Sequence, residues 1–411
     1  MLQRLLAALF RLWIVVLLII ILSGCWSRRE LDESYVVLAF GIDRVEEQYE
    51  VTVQAVDPYQ MSQQRAMSGR TPVTAFSMRA PTVLEALRKM TTTSSRRMYA
   101  GHLLMVIFDE ATAKEGLQPA MDLLLRENEI RPDFTLAVIR NYRARDVLEI
   151  FTPTEILPAL DLHKSLYTSE RVWAPTSATL FLEFIAAMAK DGRDPVITGL
   201  QLEGDVKKAK SMQNLEHIRP MGQFKYTGIG VFRGDRLVGW LNKDDSRAYS
   251  YINNHIYTSV ISMPCPRMDD DDEDEYFLVE ITRSKVNQIP SIVDDHPHMK
   301  LEVNAESNIA EFACTHINLT DEQDFMELQH VVTDKMEQIF TNGINTAKEK
   351  YGADIFGFGE SIHRKYPEIW AEWKKDWTEQ FKRLTFELEM NVHLNRFGKF
   401  ANPYKLDSEK E

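Results

Sequence analysis

The residues best placed to do chemistry lie near the start of the chain, where Leu22-Ser23-Gly24-Cys25 closes an apolar run. A bulky apolar residue, two small ones and a cysteine make a lipobox. The small residues admit a peptidase to the backbone, the thiol takes a thioether-linked diacylglycerol, and cleavage leaves Cys25 first in the mature chain. Each buried methylene adds ~0.8 kcal/mol, so two acyl chains anchor stably where one does not. Arg4 and Arg11 precede the run as a positive n-region, and Leu12 to Leu22 supplies eleven uninterrupted apolar residues. A membrane span needs about 20, so the length favours a cleaved lipoprotein signal peptide over residues 1–24. The alternative is an uncleaved anchor helix with an incidental cysteine. Either one places the remaining chain outside the cytoplasm, tethered to a membrane. The covalent diacylglycerol on Cys25 is the only prosthetic group expected. Next to it, Trp26, Arg28, Arg29 and Glu30 suit the lipid headgroup level. They read either as a segment that docks an integral-membrane partner or as a charged stem that holds the domain off the lipid.

Other chemistry-bearing groups are weaker. His296-Pro297-His298 has the look of a metal pair, but proline between them fixes a turn rather than a helical ligand face. Asp269 to Glu275 is a run of seven acidic residues without the glycine and spacing of a calcium loop; such runs are usually solvated. The glycines of "FRGDRLVG" and "FGFGES" follow no phosphate-loop pattern, and Gly357 and Gly359 read as turn residues. No Gly-x-Ser-x-Gly elbow is present. Cys265 and Cys314 have no context that would activate a thiol; they could pair in an oxidising compartment or remain unpaired. No carboxylate pair is singled out as acid and base. The sequence therefore assigns no catalytic residue, no metal ligand and no dissociable cofactor.

Composition argues against a polyanion-handling protein. The net charge of −13 argues against nucleic acid as a partner, since phosphate binding needs a basic face. It also argues against general adhesion to anionic lipid. With 44% hydrophobic and 27% charged residues, the chain is of the folded globular type, and 411 residues allow two or three domains.

The elements that must carry these groups alternate. Strands are expected at Ser34–Asp43 and from Tyr49, joined as a hairpin and the second alternating as a half-buried strand; then at Val73–Met78, His102–Phe108, Phe134–Ile139 and Pro195–Leu202. Met61–Pro72 reads as loop. Helices are expected after Pro81-Thr82, over Leu117–Arg126, and as the dominant signal from Arg145 to Lys190. Such alternation predicts a mixed sheet covered by helices, an N-terminal α/β region over 25–202 that could divide into two subdomains near 151. Residues 203–224 read as a linker or exposed loop. A C-terminal α+β domain is expected over 225–400, followed by a polar tail, 401–411. It would have strands about an Arg233-Gly234-Asp235 turn, a short helix from Asp244 and long strands at Tyr276–Gln288 and Met299–Cys314, the latter broken at Ser307-Asn308. A long helix over Asp321–Tyr351 has the stripe Phe325, Leu328, Val332, Met336, Ile339, Phe340; a shorter helix from Phe356 and a closing strand, Leu384–Asn395, follow. The fold class is α+β, with mixed sheets covered by helices and a mainly antiparallel C-terminal sheet crossed by one long helix.

Several stretches resemble one family when taken in order. "GCWSRREL" from Gly24, a strand ending in "GID", "RRMYAGHLLMVIFDEATAKEGL" from Arg96, "LLLRENEIRPDFTLAV" from Leu123, "GIGVFRGDRLVGWLNKDDSRAYSYI" from Gly228 and "DIFGFGESIHRKYPEIW" from Asp354 are similar to the Ger(x)C lipoproteins, the C subunits of spore germinant receptors. Ser27 departs from a frequent aspartate, and the acidic run at Asp269 looks like an insertion. The resemblance implies a non-enzymatic, three-domain mixed α/β subunit. It would be lipid-anchored on the outer face of the inner spore membrane and act with integral-membrane A and B subunits in nutrient-triggered germination. Two rival readings are an extracytoplasmic solute-binding lipoprotein and, ranked lower, an envelope hydrolase.

Overall fold

In a computed structural model of the protein, residues 2–22, 34–58, 71–266 and 275–395 are described. Helix α1 is Leu2–Leu22; among the described residues no helix is long and apolar enough to cross a membrane.

Two sheets follow. The first has nine strands: β1 (Ser34–Val45), β2 (Gln48–Val56), β3 (Val73–Ala80), β4 (Arg97–Tyr99), β5 (Met105–Asp109), β6 (Thr135–Ile139), β7 (Val196–Gly204), β8 (Gly222–Arg233) and β9 (Arg236–Trp240), in the order β3-β2-β1-β5-β6-β7-β8-β9 with β4 beside β1. Strands β1, β5, β6 and β7 run parallel, and the flanking hairpins are antiparallel. Short helices α2 (Val83–Lys89), α3 (Glu110–Glu115), α4 (Gln118–Arg126) and α5 (Ala144–Leu148), then α6 (Pro158–Val172) and α7 (Phe181–Ala189), cover its faces. Their starts follow local chemistry: Thr82 and Asp109 accept backbone N–H bonds from Glu85 and Thr112 as N-caps, and proline opens α4 and α6. Two apolar cores result, one on each face.

Strand β2 is accordingly buried on both faces rather than one, so its polar residues need internal partners. Gln54 donates to the Leu148 carbonyl (2.9 Å) and accepts from the Ala159 N–H (2.8 Å). The Thr52 and Ser77 hydroxyls lie 2.7 Å apart. Glu50, 3% exposed, sits among Arg79, Arg143 and Arg145 at 3.0, 3.2 and 3.5 Å.

The stretch 203–224 is no linker between halves. It is the connection inside the β7–β8 hairpin, whose register runs from Val196↔Val231 to Gly204↔Gly222. It carries helix α8 (Val206–Ala209) and is fastened by buried Asn214, which donates to the carbonyls of Phe151 and Gly222 and accepts from Met221 and Gly222. Strands β8 and β9, expected to open the second half, complete the first sheet instead. Residues on either side of 151 likewise serve one sheet, because 144–189 is the crossover from β6 to β7. His102 lies in a turn, and the strand begins only at Met105.

Helix α9 (Lys243–Ile252) leads to the second sheet of β10 (Ser259–Pro264), β11 (Tyr276–Val293), β12 (His296–Phe312) and β13 (Thr385–Asn395). The sheet is antiparallel except that β13 lies parallel to β12. The turn before β12 is made by Asp294 and Asp295, both at positive φ, so His296-Pro297-His298 is strand rather than turn. It can be so because β13 pairs with β12 only from His298 onward, which leaves Pro297 no bond to give on that side. Strand β12 continues through Ser307 and Asn308, the irregularity being absorbed as register shifts against β11. The long helix α10 (Glu322–Asn345) buries Leu328, Val332, Met336, Ile339 and Phe340 and passes into a π-helical turn, Thr346–Tyr351. Helices α11 (Phe358–Lys365), α12 (Pro367–Trp373) and α13 (Trp377–Arg383) precede β13. A Cys265–Cys314 disulfide with Cα atoms 5.6 Å apart ties the end of β10 to the residues after β12. The acidic run lies outside the described residues except for Glu275, which accepts from Thr315.

Candidate functional site

The sequence-predicted site falls almost wholly beyond the described part of the chain: Ser23, Gly24, Cys25, Trp26, Arg28, Arg29 and Glu30 lie outside it, and Leu22 is the last residue of α1. What the structure does fix is where that segment re-enters the fold, at Ser34, the first residue of β1. Ser34 is nine positions on from Cys25, a reach of at most ~30 Å. His298 meets the Thr385 hydroxyl at 2.8 Å, and no three His, Cys, Asp or Glu side chains gather as metal ligands among the described residues.

The densest convergence of buried polar groups is at the junction of the two sheets, which sequence reasoning did not single out. Its axis is α9. Asn242 caps it by accepting from the Asp245 N–H (2.8 Å). Eight consecutive residues, Asp245 to Ile252, are buried, because β8 flanks the helix on one side and α10 and β11 on the other. A Cβ at Gly343 would run into the Cβ of Ala248, so glycine there is what lets α10 lie this close. Ser250 donates to the carbonyl of Ala174 (2.8 Å), a buried non-glycine residue at φ 71°. Tyr351 donates to the Trp240 carbonyl (2.7 Å).

Beside this axis two loops interlock. Asp354 is 1% exposed, yet both its oxygens are taken. Oδ1 accepts from the N–H groups of Gly357 (2.9 Å) and Phe358 (3.1 Å), and Oδ2 from Gly359 N–H (2.8 Å) and Trp377 Nε1–H (3.1 Å). The geometry explains "DIFGFGE": Gly357 sits at φ 73°, and a side chain on Gly359 would come within 2.6 Å of the Trp377 ring and 2.7 Å of Gly192 Cα. From the first sheet's side, Asp194 Oδ2 accepts from the Asp354 N–H and the Asp354 carbonyl accepts from the Asp194 N–H, both at 2.8 Å. Lys190 pairs with Glu360 (2.8 Å), and Arg193 donates to Asn253 (2.7 Å). Burial pushes the Asp354 carboxyl up to about 7, against the pull of its N–H donors, and nearby Asp194 adds to the rise. Asp194 is raised by its own burial. The sequence reads both glycines as turn residues; Gly357 is one, whereas Gly359 lies in the first turn of α11, and the aspartate three residues before Gly357 gives no sign of being the anchor.

A second buried acid marks the other end of the parallel strands. Asp43 accepts from the N–H groups of Ala144 (2.6 Å) and Arg145 (3.0 Å) at the start of α5, and burial lifts it to about 7. Clefts of about 620 and 390 Å³ flank residues 150–154. The larger is walled by Val73, Leu148, Ile150, Phe151, Met212 and Leu215. The Asp354 carboxylate is committed to three backbone N–H groups and the Trp377 indole N–H, and that of Asp43 to two backbone N–H groups at the start of α5.

The arrangement is that of a two-sheet α+β protein whose polar investment goes into holding its halves together. Comparison with known proteins gives that class a family. The family model described as "Spore germination protein N-terminal domain" matches residues 27–202, and the one described as "Spore germination B3/GerAC like, C-terminal" matches 227–398. The chain belongs to the Ger(x)C family of spore germination proteins. It is 27% identical to spore germination protein KC of Bacillus subtilis (strain 168), over 95% of this chain and 96% of that protein. It is 21% identical to spore germination protein GerQC of Bacillus cereus, over 94% and 98%. The crystal structure of the GerBC protein shares the fold, with TM-score 0.53 at 17% identity over 87% of this chain and 97% of that one.

Proposed function

We propose that this protein is the lipid-anchored, non-enzymatic C subunit of a spore germinant receptor, working with integral-membrane A and B subunits on the outer face of the inner spore membrane. The observation that carries this reading is the near end-to-end correspondence with spore germination protein KC, read together with a cysteine at the end of a signal-like run. A nutrient signal must shift an equilibrium between receptor states, and a subunit takes part only by contacting those states differently. A diacylglycerol on Cys25 raises the effective concentration of the folded part beside its partners. The interlocked junction then presents both sheets as one contact surface. The test is a Cys25→Ala chain expressed in place of the native one in sporulating cells. Expected are loss of palmitate labelling, release from the membrane fraction, loss of co-purification with the two integral-membrane subunits and loss of nutrient-triggered germination. Retention and normal assembly of the variant would overturn the reading.

The 620 Å³ cleft favours one second reading, direct capture of a small solute. Calorimetric titration of the protein with amino acids and sugars decides between them, since tight saturable binding supports the solute-binding reading.

A further inference from the structure

The far end of α6 carries an exposed surface that the fold does not use. Val172 and Trp173 are 58% and 43% exposed, and Tyr257, from the loop after α9, is 60% exposed. They are neighbours, because Thr258 donates through its N–H (3.1 Å) and its hydroxyl (3.2 Å) to the carbonyl of Arg171. Cations frame the rings. The Arg171 guanidinium lies 5.6 Å from the Tyr257 ring, with Lys243 Nζ and the Arg247 guanidinium 4.5 and 5.3 Å from that of Trp173. Lys335 joins Asp244 at 3.0 Å, and the same carboxylate serves Arg247 at 2.9 Å. Asp244 is thus shared by two cations and Glu170 stands beside Arg171, so the four cations Arg171, Lys243, Arg247 and Lys335 outnumber these two carboxylates, a local positive excess on a chain of net charge −13. The Lys243 ammonium is held below its ordinary value by burial and by the neighbouring Arg247 and Lys335 charges.

Topology puts this surface at the tethered end. Helix α6 belongs to the crossover from β6 to β7, so it returns the chain to the starting edge of the parallel strands. There Thr179 accepts from Leu136 and Ser177 donates to Thr198, at the beginnings of β6 and β7. Ser34 lies beyond that same edge: the registers set Thr198 level with Gly41, so Ser34 stands ~23 Å further along the strands and three strand spacings, ~14 Å, to the side. A membrane surface that holds Cys25 within ~30 Å of Ser34 can therefore meet Trp173 and Tyr257. Exposed tryptophan and tyrosine flanked by arginine and lysine is the composition that settles at headgroup depth.

We infer that the Arg171-Val172-Trp173 and Tyr257 surface, with Lys243, docks the protein onto anionic phospholipid headgroups of the membrane that tethers it and so fixes its orientation there. This rests on the tethered reading of Cys25, and it adds a second, reversible contact to the acyl anchor. Each basic residue at an anionic surface is worth about a fivefold change in binding, so losing Arg171 and Lys243 together lowers the docked-to-undocked ratio roughly twenty-five-fold.

The experiment uses the full acylated chain in vesicles. With Cys25 acylated and Cys265 bonded to Cys314, Val172→Cys supplies a single reactive thiol for an environment-sensitive fluorophore. Glu47→Cys, in the turn beyond the opposite end of β1, is the control. In vesicles with about one third phosphatidylglycerol, the label at 172 should shift to the blue and be quenched by spin-labelled lipid, while the label at 47 stays in water. Arg171→Glu/Lys243→Glu, or pure phosphatidylcholine, should abolish the difference. Equal behaviour at 172 and 47, or an equal response in the two lipids, would overturn the inference. So would burial of the label only when the integral-membrane subunits are added, which would make an acidic protein surface the occupant. Retention of protein on the vesicles through an alkaline wash reports the acyl anchor separately: loss of retention refutes the tether, whereas retention without quenching refutes the docking surface.

Discussion

Asp354→Asn tests the junction at its most buried group. In the native protein the carboxylate satisfies four donors, two on each oxygen. Asparagine keeps one acceptor oxygen and turns an amide N–H₂ toward two donors. If that amide replaces Oδ2, the Gly359 N–H and the Trp377 indole N–H are orphaned inside the protein. At pH 5 the native carboxyl is protonated and its own O–H already faces one of the four donors, so asparagine leaves about one more donor unmet and the expected cost is about 2 kcal/mol, at ~1–3 kcal/mol for each buried unsatisfied group. The cost should shrink as pH rises. The folded-state value of about 7 lies above the ordinary 3.8, so this group's stabilisation is complete below the ordinary value and is lost as pH climbs through 7. Roughly 2–3 kcal/mol of that loss falls between pH 5 and 8, and only the native protein suffers it, since asparagine does not titrate. Urea unfolding of both proteins at pH 5 and pH 8, followed by tryptophan fluorescence, gives the double difference; Asp43, remote from the junction, contributes equally to both and cancels, whereas Asp194 is read together with Asp354 as one coupled pair. A penalty that stays constant or grows with pH would refute the reasoning, because it would mean that the four donors outweigh burial and keep Asp354 ionised throughout.

Two further outcomes are expected. Cys314→Ser opens a loop with a sequence separation of 49 and should cost ~2–4 kcal/mol, seen as a lower melting temperature that reductant also produces in the native protein but not in the variant. Asn214→Ala removes a buried side chain with four hydrogen bonds to backbone. It should cost ~2–4 kcal/mol and speed hydrogen exchange across the β7–β8 connection, an effect absent if the loop is held by other contacts.

What could be read from the sequence was local. The apolar runs of β1, β5 and β6 show as buried strands, and the stripe of α10 from Leu328 to Phe340 shows which side of that helix is covered. Pairing partners were not legible. "KYTGIGVFRGDRLVGWLN" reads as a hairpin whichever sheet it joins, and only the β7 register assigns it to the first. The short β10 is only six residues ending in proline and gives no periodic signal, and the charged and aromatic residues of α12 and α13 follow no clean period. The parallel docking of β13 depends on the helices that carry the chain back after β12. The junction was hidden for a similar reason: Asp194 and Asp354 are 160 residues apart, and each is an ordinary aspartate until the other is beside it. The expected lipobox is the opposite case, since its pattern is written within four adjacent residues, Leu22 to Cys25.

Helix α9 leaves no slack where the chain passes from one sheet to the other. A hinge protein puts a few solvated, loosely held residues at such a crossing; here the crossing is a walled-in rod, clasped by Ser250 on one flank and by Gly343 on the other. A tug or tilt imposed at the β1 end is therefore delivered to β11 and β12 as a lever delivers it, instead of being swallowed midway.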